Sequence, residues 1–207
     1  MSSSLTEQLF QQLQGAPLQQ IAQQLGAGQD QTATAVGAAL PLLLGALGRN
    51  ASQPQGAEAL FGALQKDFSG AGDLGGLIGA VLGGAQSRQT NGAGILGHVL
   101  GGQLPRAEAG LGQATGLGSD KAGQLMRILA PIVLAFLARQ VFQGKDQAQA
   151  ANPQALGSIL GREQQQVRQQ GGLGGGLLGA VLDQDGDGEL GLGDLLKIGG
   201  GLLGGKR

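Results

Sequence analysis

One stretch of this chain occurs twice, and it is the most apolar stretch present. Residues 23–50 (QQLGAGQDQTATAVGAALPLLLGALGRN) align without a gap with residues 113–140 (QATGLGSDKAGQLMRILAPIVLAFLARQ). The identical pairs include Gly26/Gly116, Gly28/Gly118, Asp30/Asp120, Pro41/Pro131, Leu44/Leu134, Leu47/Leu137 and Arg49/Arg139. Pro54-Gln55 then matches Pro153-Gln154 after a short insertion, and GLIGAVL at 76–82 matches GLLGAVL at 176–182. A repeat constrains the fold before any local signal does. The expectation is two degenerate copies of a helical unit, roughly 4–84 and 94–182, packed as one pseudo-symmetric all-α domain. The corresponding divisions are a first repeat at 1–84, a Gly-rich linker at 85–93, a second repeat at 94–170 and a Gly/Leu-rich tail at 171–207.

Apolar spacing sets the helices within each copy. Leu5, Leu9, Phe10 and Leu13 make the stripe of a first amphipathic helix, and Leu18, Ile21 and Leu25 mark a second at 17–25. Gly26-Ala27-Gly28 stops it, and Asp30, like Asp120, stands where a helix N-cap belongs. The third helix is predicted at 31–49 and 121–142, with a kink or break at Pro41 and Pro131. Residues 32–48 are uncharged, while Arg127 and Arg139 flank a shorter apolar run in the second copy. A bilayer span needs about 20 apolar residues, so both are read as buried core helices. A final helix follows at 54–65 and 152–169.

Glycine, at 43 residues, clusters in 69–102 and 170–205. Gly75, Gly79 and Gly83 are spaced four apart, as are Gly171, Gly175 and Gly179, which on a helix gives a smooth face for close approach. Each glycine disfavours helix by about 1 kcal/mol relative to alanine, so such segments gain order only by packing on something else. Residues 83–94 are read as a flexible linker.

Charged residues make up 13% of the chain and the net charge is −1, so no basic nucleic-acid surface is expected. With no Trp, no Tyr and five Phe, platforms for stacking bases or sugars are lacking. The absence of Cys excludes disulfides, thiolate catalysis and Cys-ligated zinc. The N-terminal residues MSSSLTEQ carry neither a basic nor an apolar signal-peptide region, so the expected location is the cytoplasm.

The segment that specifies a ligand is Asp183-Gln184-Asp185-Gly186-Asp187-Gly188-Glu189-Leu190-Gly191-Leu192-Gly193-Asp194. Asp at positions 1, 3 and 5, Gly at 6 and a carboxylate at 12 is the spacing of an EF-hand-type calcium loop. Calcium takes six to eight oxygens, which a tight loop must wrap around one point. Asp183, Asp185 and Asp187 offer side-chain oxygens, Gly188 permits the sharp turn, and Glu189 offers its carbonyl. A water fills the vertex at Gly191, and Asp194 closes the loop. The short Asp194 resembles dockerin-like and other bacterial calcium loops and admits magnesium as an alternative ion. The competing reading is an unliganded acidic turn of Asp-Gly pairs. A bound ion would order a helical hairpin from the apolar arms 177–182 and 195–203.

Other chemistry finds little footing. His98 is the only histidine, it sits among apolar residues, and no Gly-x-Ser-x-Gly nucleophile motif accompanies it. Glu7, Asp30, Glu58, Asp67, Asp73, Glu108 and Asp120 stand in no recognisable setting for paired-carboxylate catalysis. Arg49 and Arg139 close their helices, where a cation suits the dipole. An anion site at these arginines is the functional alternative.

Gly26-x-Gly28-x-Asp30 leading to Ala39-Leu40-Pro41-Leu42-Leu43-Leu44-Gly45-Ala46-Leu47 resembles the bacterial YidB-like group of proteins of unknown function. So do Gly94-Ile-Leu-Gly-His-Val-Leu-Gly101, Leu129-Ala130-Pro131-Ile132 and the Gly/Leu-rich tail with its acidic loop. The resemblance implies an all-helical fold and carries over no catalytic residue. The functional expectation is a non-enzymatic calcium-binding helical protein that serves as a binding or scaffold module, with a protein partner or self-association. The alternatives are a peripheral membrane or self-assembling protein that uses the Gly/Leu arms, and an uncharacterised enzyme.

Overall fold

The computed structural model describes residues 4–68, 74–85, 87–143 and 152–170. Among these residues the regular structure is entirely helical, as expected. The helices are α1 (Leu5–Leu13), α2 (Ala16–Leu25), α3 (Gln29–Ala51), α4 (Pro54–Phe68), α5 (Leu74–Leu82), α6 (Gly92–Val99), α7 (Leu104–Thr115), α8 (Ser119–Gln143) and α9 (Pro153–Gln170). A single 3-10 turn, Gly101–Gln103, joins α6 to α7.

The fold is built around α3 and α8. In the first half of each, one face meets solvent, at Thr34 and Gly37 in α3 and at Gln124 and Arg127 in α8. In the second half every residue is buried, from 38 to 48 and from 128 to 138. A helix that is apolar all round must be enclosed on all sides. The two helices pack on each other, and the shorter helices complete the coat, with α1, α2, α4, α7 and α9 against α3 and α2, α4, α5, α6 and α7 against α8. Leu40, Leu42, Leu129, Ile132, Val133 and Leu137 have no exposed surface, and each large side chain so enclosed contributes about 1.5–3 kcal/mol. By length and composition α3 and Ser119–Phe142 could each cross a bilayer, yet 78% of each apolar window is buried inside the protein.

Three local expectations are corrected. Pro41 and Pro131 lie inside helices that continue past them, so there is no break at either. Packing around these fully enclosed turns outweighs the roughly 3 kcal/mol that proline costs in a helix interior. Asp30 and Asp120 are not N-caps. α3 starts after Gly28, whose carbonyl accepts from Thr32 N–H at 2.9 Å, and Gly118 plays the same part for Ala122 at 3.1 Å. Both aspartates stand instead in the first helical turn, where a carboxylate suits the positive end of the dipole. The stretch 83–94, read as a flexible linker, contains the start of α6, where Asn91 Oδ1 accepts from Gly94 N–H at 3.0 Å.

Long-range hydrogen bonds tie helix ends together. α2 and α7 both end on a left-handed glycine, Gly26 at φ 55° and Gly116 at φ 68°. Lys121 Nζ, in the first turn of α8, donates to the Gly26 carbonyl at 2.7 Å. Gln31 Nε2, in the first turn of α3, donates to the Thr115 carbonyl at 3.3 Å. Gln31 and Lys121 occupy the same position in the alignment of 23–50 with 113–140. The start of each long helix therefore caps the end of a short helix from the other half of the chain.

A buried carboxylate closes the remaining end. Leu156, Leu160 and Glu163 lie on one face of α9, and Glu163 is only 3% exposed. Its Oε2 accepts from Leu5 N–H at 2.8 Å, and its Oε1 accepts from Thr6 N–H at 2.9 Å and from Thr6 Oγ1 at 2.6 Å. Ser4 Oγ accepts from Glu7 N–H at 3.1 Å, and the Ser4 carbonyl accepts from Gln8 N–H at 3.0 Å. Leu5, Thr6 and Glu7 N–H, three of the backbone donors that a helix start leaves without an intrahelical acceptor, are thus met by side chains. Glu163→Ala orphans two of them and should lower the unfolding free energy by about 2–4 kcal/mol. Chemical denaturation with native-state hydrogen exchange checks this, and exchange at Leu5 and Thr6 should accelerate well beyond that at Leu129. Unchanged exchange at Leu5 and Thr6 would make the contact incidental.

Candidate functional site

Asp183, Asp185, Asp187, Glu189 and Asp194 lie outside the described residues. Among the described residues, no three His, Asp or Glu side chains converge to hold a metal ion. His98 is exposed, and its Nδ1 lies 3.0 Å from the Gly94 carbonyl one turn back in its own helix. Arg139 is exposed near the end of α8, and Arg49 is half-buried in the last turn of α3.

Arg49 stands at the edge of a polar cleft of about 650 Å³. One wall is the C-terminal turn of α3, with Ala46, Arg49 and Asn50, followed by Gln53 at the corner into α4. The facing wall runs from the end of α6, Val99 and Leu100, through Gly102 and Gln103 of the 3-10 turn, to Arg106 in the first turn of α7. Asn50 Nδ2 donates to the His98 carbonyl at 3.4 Å and ties the two walls together. Gly101, at φ 52°, takes the left-handed conformation that lets the chain turn from α6 into α7. Ser52 Oγ donates to the Arg49 carbonyl at 2.7 Å and finishes α3.

The described lining residues bring two guanidinium groups, three side-chain amides, three apolar side chains and no carboxylate. Helix ends modify that charge. The ends of α3 and α6 each bring about half a negative charge, and the start of α7 about half a positive one.

Sequence reasoning singled out Arg49 but missed Arg106, Asn50, Gln53 and Gln103. They belong to two segments that only the packing of α3 on α6 and α7 brings together. Glu163 was also missed, although its signal was present. It continues the spacing of Leu156 and Leu160, so a carboxylate occupies a core-facing position of α9.

The described residues form an all-helical protein with a polar cleft, lined by two arginines, between the end of α3 and the turn from α6 into α7. The chain belongs to the family described as "Bacterial protein of unknown function (DUF937)", whose model matches residues 7–140. That span includes both walls of the cleft and ends before α9. No curated protein and no solved structure matches the chain.

The α3–α4 corner that shapes the cleft depends on a close approach. A Cβ on Gly56 would lie 2.1 Å from the Asn50 carbonyl oxygen. Gly56→Ala must therefore displace backbone and should cost about 1–3 kcal/mol, with amide NMR shifts concentrated at Asn50, Gln53 and His98. A thermal midpoint and spectrum matching wild type would show that the corner is not so constrained.

Proposed function

We propose that this protein is a non-enzymatic, calcium-binding helical module that holds a protein partner or a second copy of itself. The observation that carries the reading is the spacing of Asp183, Asp185, Asp187, Gly188 and Asp194. Five acidic side chains within twelve residues repel one another unless a cation draws them in, and hard oxygen donors at this spacing suit calcium, with magnesium as the alternative ion. The architecture proposed for the module is a pseudo-symmetric duplication. Its support is the matched placement of Pro41 and Pro131, the buried runs 38–48 and 128–138, and the reciprocal caps from Gln31 and Lys121.

Calcium titrated calorimetrically into the wild-type chain should bind with an affinity in about the micromolar-to-millimolar range, because Asp194 is short and one loop acts alone. Asp183→Ala with Asp187→Ala removes two side-chain ligands and should abolish the heat while leaving the helical circular dichroism of the body unchanged. Binding should also slow hydrogen exchange in 173–203, since ligands spread along the loop meet only when it closes. No calcium heat from wild type, or exchange there that ignores calcium, would leave an acidic turn as the better account.

A further inference from the structure

We propose that the cleft between the end of α3 and the start of α7 binds a small aliphatic dianion whose carboxylate or phosphate oxygens are taken by Arg49 and Arg106. This inference is independent of the calcium loop, since it rests on a different part of the chain.

Three features of the cleft point to this ligand class. The first is charge. The described lining residues include two guanidinium groups and no carboxylate, and a guanidinium presents a planar fork that fits the two oxygens of a carboxylate or phosphate. Arg106 is exposed and makes no hydrogen bond or ion pair with any described residue, so its donors face the cleft and solvent. Arg49 is half-buried, has a further interaction of its own, and carries five donors, more than one partner uses.

The second feature is size. A cleft of about 650 Å³ falls within the range of pockets that take organic molecules, roughly 300–1,000 Å³, and exceeds what a bare ion needs. The third is the rest of the lining. Asn50, Gln53 and Gln103 offer amide donors and acceptors for hydroxyl or carbonyl groups, and Ala46, Val99 and Leu100 give a short aliphatic floor. Among the described lining residues none is aromatic, so they offer a nucleobase no stacking platform. The ligand is therefore an aliphatic anion with polar substituents.

The test uses the full chain in calcium-free buffer, so that failure of the tail loop cannot affect the result. Glycerol phosphate and succinate serve as soluble probes, and phosphatidic acid in phosphatidylcholine vesicles as the lipid probe. Wild type should bind at least one soluble probe saturably, with amide shifts confined to residues around Asn50, Leu100 and Arg106. Arg106→Gln removes an exposed side chain and leaves the core intact, and it should weaken binding about tenfold or more. Arg106→Lys keeps the charge but loses the fork, and should recover only part of that loss. Arg139→Gln changes net charge equally at the other end of the alignment and should bind as wild type does. The proposal is overturned if neither soluble probe saturates or if Arg106→Gln matches wild type. It is equally overturned if Arg139→Gln weakens binding as much as Arg106→Gln, which would indicate bulk charge, or if only the vesicles bind, which would assign the cleft to a lipid headgroup.

Discussion

The fold depends on covering two helix halves that are apolar all round. Residues 38–48 of α3 and 128–138 of α8 have no polar face to turn outward, so stability requires a complete coat. Packing one on the other covers only part of each, and the short helices cover the rest. At Gly92 the same demand calls for glycine. A Cβ on Gly92 would lie 1.8 Å from the Arg127 carbonyl oxygen, so the start of α6 reaches the α8 backbone only because that position has no side chain. α6 is helical despite its glycines because it lies on α8, not because its residues favour helix.

Enclosure creates a second problem, since helix ends brought together in a compact bundle present unpaired backbone groups. The chain answers it with side chains from distant sequence. Lys121 serves the end of α2, Gln31 the end of α7, and Glu163 the start of α1. These bonds explain why α9, which lies beyond the span matched by the family model, is part of the same body. Leu156 and Leu160 are fully buried, and α9 packs along α3 and α4 while its carboxylate holds α1. Within the described residues no buried side-chain nitrogen or oxygen is left without a partner, which limits local rearrangement around the long helices.

Much of the helical layout was legible in the sequence, because apolar spacing and Gly punctuation are local signals. Leu9, Leu13, Leu18, Ile21 and Leu25 are buried as their spacing implied, and Gly26 and Gly116 end their helices. The misreadings occurred where tertiary context overrode a local rule. Proline was given its intrinsic tendency to break a helix, but dense packing carries the helix through Pro41 and Pro131. Asp30 and Asp120 have good cap chemistry, yet the preceding glycines start the helices earlier, and the aspartates fall inside the first turn. The cleft was beyond reach of local reasoning, since Arg49 and Arg106 are brought into one lining only by the α3, α6 and α7 packing.

The cleft lies at the end of α3, and the aligned end of α8 offers a comparison. In the alignment of 23–50 with 113–140, Asn50 corresponds to Gln140. Asn50 Nδ2 donates to the His98 carbonyl at 3.4 Å, and Gln140 Nε2 donates to Gln8 Oε1 at 3.1 Å. Arg49 corresponds to Arg139, so each corner has one arginine. Arg106 lies outside the aligned stretches, at the start of α7. A guanidinium at a helix C-terminus is partly answered by the dipole beside it. One at the start of a helix, as Arg106 is, meets the positive end of its own helix instead. What Arg106 adds to the end of α3 is therefore a second guanidinium. The helices that satisfy the core would be the same with or without Arg106, so the core gives no reason for its presence.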